Sequence, residues 1–421
     1  MELLEPFVLR EGELHCEGVA VARLAREVGT PLYVYSRAAL VNRFQAFAGA
    51  FADVPHLICF AMKANANLAT LRLFASLGGG ADVVSGGELF RALKAEVPPG
   101  RIVFAGVGKS RDEIAYALKS DILMFNVESV PELHLVNAVA GEMGARARVA
   151  LRVNPNVDPK THPYISTGLK KNKFGIDIAQ AEEAFALTRS LRHVEVVGVH
   201  QHIGSQITEV GPFVDAIGRV AELMRGLRAR GFAIRYLDVG GGLGITYHDE
   251  TPPIPQEVAQ AVLPIIRDLG CTVVMEPGRF LVGNAGILVT RVLYVKPTPA
   301  KTFVIVDAGM NDLARPSLYN AYHTIQPLRP RAGTGTMVAD VVGPICESGD
   351  FLAKDRELPA AKPGDLLAVM SAGAYGFSMS SNYNARPRPA EVLVGGDRYA
   401  VIRNRESYED LIRGEHIPDD L

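Results

Sequence analysis

The chain has 421 residues, a length that allows up to three domains at about 150 residues each, or fewer if one is an α/β barrel of about 250. Hydrophobic residues make up 48% and charged residues 21%, which excludes disorder over most of the length. With 44 Lys+Arg against 46 Asp+Glu the net charge is −2, so no overall field would hold nucleic acid or an anionic membrane, and the expected partner is a small molecule.

The chain opens on Met1-Glu2-Leu3-Leu4-Glu5-Pro6, with acids where a signal peptide needs a basic start, and it holds no apolar run of the roughly 18 residues that would span a bilayer. Cys16, Cys59, Cys271 and Cys346 lie far apart and form no C-x-x-C pair. Neither a disulfide framework nor a zinc knuckle is expected, and a reducing cytoplasm is. Eight short apolar runs then recur between amphipathic stretches, at 56–63, 81–85, 101–106, 121–127, 147–153, 194–203, 234–240 and 272–276. Among the intervening segments, Leu89, Leu93 and Val97 repeat at helical spacing in 86–97, and Ser110 with Glu113 has the form of a capping box. Strand alternating with helix implies parallel pairing. Eight such strands, with the unusual residues collected at their C-terminal ends, predict a closed (β/α)8 barrel over 31–280 rather than its rival, a doubly wound sheet. Beyond about residue 280 strand-like runs at 287–295, 302–307, 337–342 and 366–370 have no regular helices between them, which predicts a second, all-β domain from 281–421 together with 1–30.

Several residues at these strand ends carry chemistry. Lys63 ends the first run; on position alone it is either a lysine leaving for solvent or an amine held at the barrel mouth as a nucleophile. Gly240-Gly241-Gly242-Leu243-Gly244 follows the seventh strand, where barrels commonly bind phosphate through backbone N–H groups. Glu276-Pro277-Gly278-Arg279 ends the eighth: a buried ion pair, or a carboxylate for a protonated ring nitrogen beside an arginine for a carboxylate or phosphate. His200 and His202 share one face of a strand, as metal ligands or as packed imidazoles; His202 with Ser205 would alternatively stack a flat ring and offer a hydroxyl to phosphate. In the β part, Cys346-Glu347-Ser348-Gly349-Asp350 sits among polar and acidic neighbours unlike those of an inert buried cysteine, and 307–316 forms another loop rich in ligand-type side chains.

Taken in order, AMKAN (61–65), ADVVSGGEL (81–89), THPYISTGL (161–169), KFGI (173–176), HIGSQ (202–206), GGGLG (240–244), EPGR (276–279), DAGMNDLARPSLYNAYH (307–323), CESGD (346–350) and AYGFSMSSNYN (374–384) resemble the diaminopimelate decarboxylases, within the pyridoxal-phosphate decarboxylases that have an alanine-racemase-like barrel. The resemblance spans both expected domains. It implies pyridoxal 5'-phosphate as cofactor, in Schiff-base linkage to Lys63, with Ser205, Gly242, Gly278 and the backbone of 276–279 around the phosphate and His202, counted with the catalytic groups, stacked on the ring. Glu276 would keep the pyridinium protonated, and Tyr375 would lie near cofactor and substrate. Arg279, Arg315 and Tyr319 would hold the substrate's distal end, Glu347 would receive its amine, and Cys346, lent to a partner subunit, would handle the proton returned to the α-carbon, which implies a homodimer with composite sites. No metal is implied.

Relatives that act on ornithine or arginine meet no distal carboxylate and usually carry Asp after the cysteine. The sequence CES, with Arg279 and Arg315, points instead to meso-diaminopimelate as substrate and lysine as product. The alternatives are a decarboxylase of ornithine or arginine, a racemase on the same fold, a metal-dependent barrel hydrolase using His200 and His202, and a pyridoxal-phosphate carrier, which would lack the β domain.

Overall fold

The computed structural model describes residues 2–159, 161, 167, 173–331, 333 and 335–419. It divides into a barrel unit, chiefly Val41–Thr246 and Glu250–Leu281, and a β unit of Leu4–Leu40, Tyr247–Asp249 and Val282–Leu421.

All eight expected barrel strands form: His56–Ala61, Gly80–Val83, Ile102–Phe104, Met124–Val127, Ala147–Asn154, Val194–His200, Tyr236–Asp238 and Thr272–Met275. Every neighbouring pair is parallel, and the ring closes where Val274 of the eighth strand meets Leu57 of the first. Cys59, Val103, Met124, Ala150, Val197 and Val274 fill the interior as a packed core, the result of alternate residues on each strand pointing inward. After the second, third and fourth strands the same S-x-x-E spacing starts the helix. Ser85 accepts from the Glu88 N–H, Ser110 from that of Glu113 in a full capping box, and Ser129 from that of Glu132. These caps end each connecting loop at a fixed point and so fix the loops at the C-terminal rim.

In the β unit the twelve-residue strand Gly286–Pro297 organises the sheet. Its first half pairs antiparallel with Leu32–Ser36 and with Leu366–Val369, and its second half with Thr302–Val306. Leu32–Ser36 pairs parallel with Ala390–Gly395, and Thr302–Val306 parallel with Thr336–Val342, so the sheet is mixed. Both faces are covered. Leu32, Val34, Ile287 and Val289 pack on one side, while Tyr33, Tyr35 and Leu288 pack on the other, the period-two alternation of a sheet buried on both faces. Leu32–Ser36 therefore belongs to this sheet, and the β unit runs past the boundary expected at residue 30. Among the described residues no helix is long and apolar enough to cross a membrane.

Candidate active site

The C-terminal ends of the barrel strands gather a polar cluster in an otherwise apolar ring. Lys63, in the short 3-10 turn Met62–Ala64 after the first strand, places Nζ 3.2 Å from Asp82 Oδ2 at the end of the second. Asn126, in the fourth strand, donates from Nδ2 to Asp238 Oδ2 at 2.9 Å and to Glu276 Oε1 at 3.0 Å. His200 Nε2 lies 3.4 Å from Glu276 Oε2, and neither of its ring nitrogens completes a hydrogen bond. The Gly240 N–H donates to Asp238 Oδ1 and the Gly241 N–H to His202 Nδ1, at 3.0 and 3.2 Å. A backbone N–H can only donate, so Nδ1 of His202 is the acceptor and the neutral ring carries its proton on Nε2.

Three carboxyl groups so close together cannot all ionise. Burial, then the charge of Glu276, pushes Asp82 up to about 8 against the pull of Lys63. The same two causes carry Asp238 well above the carboxylate range. Burial would also raise Glu276, but His200 beside it, then Lys63, reverse the sign and leave it below that range. Negative charge therefore collects on Glu276. Burial holds both imidazoles down, with Arg152 and Lys63 adding to the effect at His202, while Glu276 pulls His200 back towards its charged form.

The glycine run packs tightly against this cluster. A Cβ on Gly241 would stand 2.2 Å from the Glu276 carbonyl oxygen, and one on Gly242, whose φ is +120°, 2.7 Å from the carbonyl oxygen of Gly204. Only glycine lets the chain turn this closely against its neighbours. Ser205 lies beside it, and its Oγ accepts from Arg279 Nε and Nη2 at 3.3 and 3.1 Å. Ser205, Gly242 and Arg279 thus lie close together, while Gly278 packs against Ala61 and Ala64 on either side of Lys63 in the chain. Most of the THPYISTGL segment lies outside the described residues. Its Thr161 and Thr167 donate to the carbonyls of Ser205 and His202 at 2.8 and 2.9 Å.

Reasoning from the sequence missed Asp82, Asn126, Arg152 and Asp238. Arg152 is buried in the fifth strand, pairs with Glu128 at 2.7 Å, and donates to the His202 carbonyl at 3.4 Å. Glu128 in turn accepts the N–H groups of Gly106 and Gly175, so one buried carboxylate ties three strand-end loops to that arginine. A charged or amide side chain inside a strand that is otherwise apolar was the available signal for Asp82, Asn126 and Asp238; Arg152 shares its strand with Arg148 and Asn154 and stood out less.

His200, Asp238 and Glu276 also bring ligand-type atoms within 4.8 Å of one another, and this trio, rather than His200 with His202, is what a cation would find. Asn126, however, already points its amide hydrogens at the carboxylate oxygens such an ion needs.

The remaining sequence-derived residues lie in the β unit, where the segments of Arg315, Tyr319, Cys346 and Glu347 are joined by hydrogen bonds. Arg315 starts the short helix Arg315–Tyr319, and Ser317 Oγ donates from it to the Gly349 carbonyl at 2.6 Å, which fastens the helix to the CESGD loop. Asp350 orders that loop by accepting the N–H groups of Met310 and Ile345, both at 2.7 Å. Cys346 is exposed, and its N–H donates to Asn384 Oδ1 at 2.7 Å. A hydrogen bond to Glu347 raises the Tyr383 phenol above its ordinary range. Tyr375 is held at φ +54°, a left-handed conformation that side chains rarely adopt, and the next residue, Gly376, has room for no side chain: its Cβ would meet the Ala372 carbonyl oxygen at 2.4 Å.

Residues 37–283 match the family model described as pyridoxal-dependent decarboxylase, pyridoxal binding domain. The diaminopimelate decarboxylase of Aquifex aeolicus is 52% identical over 98% of this chain and 99% of its own, and that of Pseudomonas aeruginosa is 53% identical over 98% and 99%. The chain belongs to the diaminopimelate decarboxylase family. Among solved structures, the Helicobacter pylori diaminopimelate decarboxylase complexed with L-lysine is 47% identical with a TM-score of 0.90, covering 93% of this chain and 98% of that one. The M. jannaschii enzyme in co-complex with L-lysine is 42% identical with a TM-score of 0.93, covering 98% of each.

Family membership implies pyridoxal phosphate, and the barrel residues fit it. The floor offers an ionised carboxylate, Glu276, suited to a protonated ring nitrogen, and a primary amine, Lys63. The cluster also holds buried polar atoms with no hydrogen-bond partner, at Asp82 Oδ1, Asn126 Oδ1 and both His200 nitrogens, as expected of a site built around a polar ring. Beside the glycine turn, Arg279 and the Ser205 hydroxyl offer a charge and a hydrogen-bonding group of the kind a phosphate takes.

Proposed function

We propose that this chain decarboxylates meso-diaminopimelate to L-lysine and CO2, with pyridoxal phosphate held at the barrel mouth. The observation that carries the reading is identity above 50% with diaminopimelate decarboxylases over nearly the whole length of both chains. When bound, the cofactor supplies an electron sink for the pair released as the carbon–carboxylate bond breaks. Glu276 keeps the ring nitrogen protonated and so deepens that sink. Lys63 carries the cofactor covalently, His202 covers one face of its ring, and Ser205, Gly242, Gly278 and Arg279 hold its phosphate. Arg279, Arg315 and Tyr319 bind the substrate's distal carboxylate, and Glu347 its distal ammonium. The charge pattern supports these assignments, since a carboxylate is matched by arginines and an ammonium by a glutamate. Tyr375 lies against cofactor and substrate.

The active form is proposed to be a homodimer in which Cys346 Sγ of one subunit returns a proton to the α-carbon in the other's site. The exposure of Cys346 supports this, because the side chain is open to a second copy. All four cysteines are free, which fits a reducing cytoplasm. The test is CO2 release from meso-diaminopimelate, ornithine and arginine under equal conditions, with lysine assayed as the product of the first. Turnover of diaminopimelate alone, or far above the others, is the expected result; equal or better turnover of ornithine overturns the substrate assignment.

A further inference from the structure

The Arg315 guanidinium is held by a neighbour to which the chemistry above gives no role. His323 is fully buried, four residues beyond the end of the helix that Arg315 starts. Its Nδ1 lies 2.8 Å from the Met370 carbonyl oxygen, and its Nε2 is 3.3 Å from Arg315 Nε. A carbonyl can only accept and a guanidinium N–H can only donate, so the two partners settle the state of the ring: Nδ1 carries the proton, Nε2 presents its lone pair, and the imidazole is neutral. The ring is fixed on every side. Met370 N–H donates to the Thr324 carbonyl at 2.8 Å, continuing the ladder between Ile325–Pro327 and Leu366–Val369. Arg356 donates to the His323 carbonyl at 2.8 Å, and the Tyr247 ring packs edge-on against the imidazole with centroids 5.2 Å apart. Tyr247 also lies under the Arg315 guanidinium, 4.8 Å from its centre, with Tyr319 at 5.9 Å.

Arg315 is thus gripped through Nε by an acceptor that brings no charge, and through its flat face by an aromatic ring. A carboxylate at the position of His323 would hold the guanidinium more strongly but would also neutralise it. With Nε committed, the edge suited to bidentate capture of a carboxylate is the Nη1/Nη2 pair. We infer that His323 is a positioning residue for substrate recognition: it aims the Arg315 guanidinium, without cancelling its charge, at the carboxylate on the far end of the substrate. The inference rests on the reading of Arg315 given under the proposed function.

The test uses the loaded enzyme and two competing ligands, L-lysine, which keeps the distal carboxylate, and 1,5-diaminopentane, which lacks it. His323→Leu removes both hydrogen bonds at similar bulk. It is expected to raise the KM for meso-diaminopimelate and the inhibition constant of L-lysine about tenfold or more, with a much smaller change in kcat and no change in the inhibition constant of 1,5-diaminopentane. His323→Gln, whose amide offers one acceptor and one donor, should recover most of the loss. If the leucine variant does not fold, His323→Asn, whose shorter amide reaches only one of the two partners, takes its place in the comparison. Equal weakening of both ligands, or unchanged L-lysine inhibition, overturns the inference. Arg315→Ala separates the two failures. If it weakens L-lysine selectively while the His323 variants do not, only the positioning role is lost; if it leaves L-lysine unaffected, the reading of Arg315 fails and the inference falls with it.

Discussion

Asn126 Nδ2 lies 3.0 Å from Glu276 Oε1 and, from the same amide, 2.9 Å from Asp238 Oδ2. One neutral donor thereby joins two buried acids at the bottom of the barrel mouth and lets a single negative charge settle on Glu276. Asn126→Asp would place another carboxyl against the pair and remove both amide hydrogens. Cofactor affinity should fall by about tenfold or more, read by fluorescence titration of the cofactor-free chain. An unchanged titration would show that the amide does not tune Glu276.

The raised Asp82 predicts a pH dependence whose sign follows from linkage. Folded, Asp82 keeps its proton up to about pH 8; unfolded, it gives the proton up near its ordinary 3.8. Between those values unfolding releases a proton, so the stability of the cofactor-free chain contributed at this site is full at low pH and declines as pH rises through the window. Urea midpoints measured from pH 5 to about 8 should show a shallower decline in Asp82→Asn than in the parent. Parallel curves would assign the slope to other groups.

Arg152 and Glu128 form an ion pair whose side chains are only 7% and 1% exposed. Breaking such a pair from one side leaves a buried charge alone, so Arg152→Met should cost about 3–5 kcal/mol in chemical denaturation. The double variant Arg152→Met with Glu128→Gln should recover part of it. A double variant no better than the single would mean that the lost term is packing rather than charge.

The proposed sharing of Cys346 predicts a mixing result. Cys346→Ala should lower kcat by about a hundredfold while cofactor titration stays unchanged, as for loss of a general acid. Combining it with Lys63→Ala in equal amounts should restore about a quarter of parental activity, since half the dimers would then hold one intact site. No recovery on mixing would contradict composite sites.

How far the sequence could be read differs between the two units. The eight barrel strands were legible because each is a short apolar run between amphipathic stretches, and Lys63, His202, Gly242 and Glu276 stood out as candidates because they stand at or just beyond strand ends. Leu32–Ser36 falls inside the expected barrel bounds of 31–280 but joins the β sheet, and the run LYVYS carries no local mark of which sheet it enters. Its partner, Gly286–Val289, is some 250 residues away, and nothing local marks the pairing. Asp82, Asn126, Arg152 and Asp238 escaped for a related reason. Asp82, Asn126 and Asp238 are each one polar residue within a short strand, Arg152 is one of three in its own, and only closure of the ring brings them together. His323 shows the same limit, since its role depends on two partners on different segments, Arg315 and Met370.

Lys63 is the residue proposed to carry pyridoxal phosphate beside Glu276. Borohydride reduction of the cofactor-loaded chain, followed by peptide mass spectrometry, tests this most directly. One phosphopyridoxyl group per chain, fixed on Lys63 and absent from Lys63→Ala, is the predicted result. A chain that takes up no cofactor, or a label distributed over other lysines with Lys63 unmodified, would contradict it.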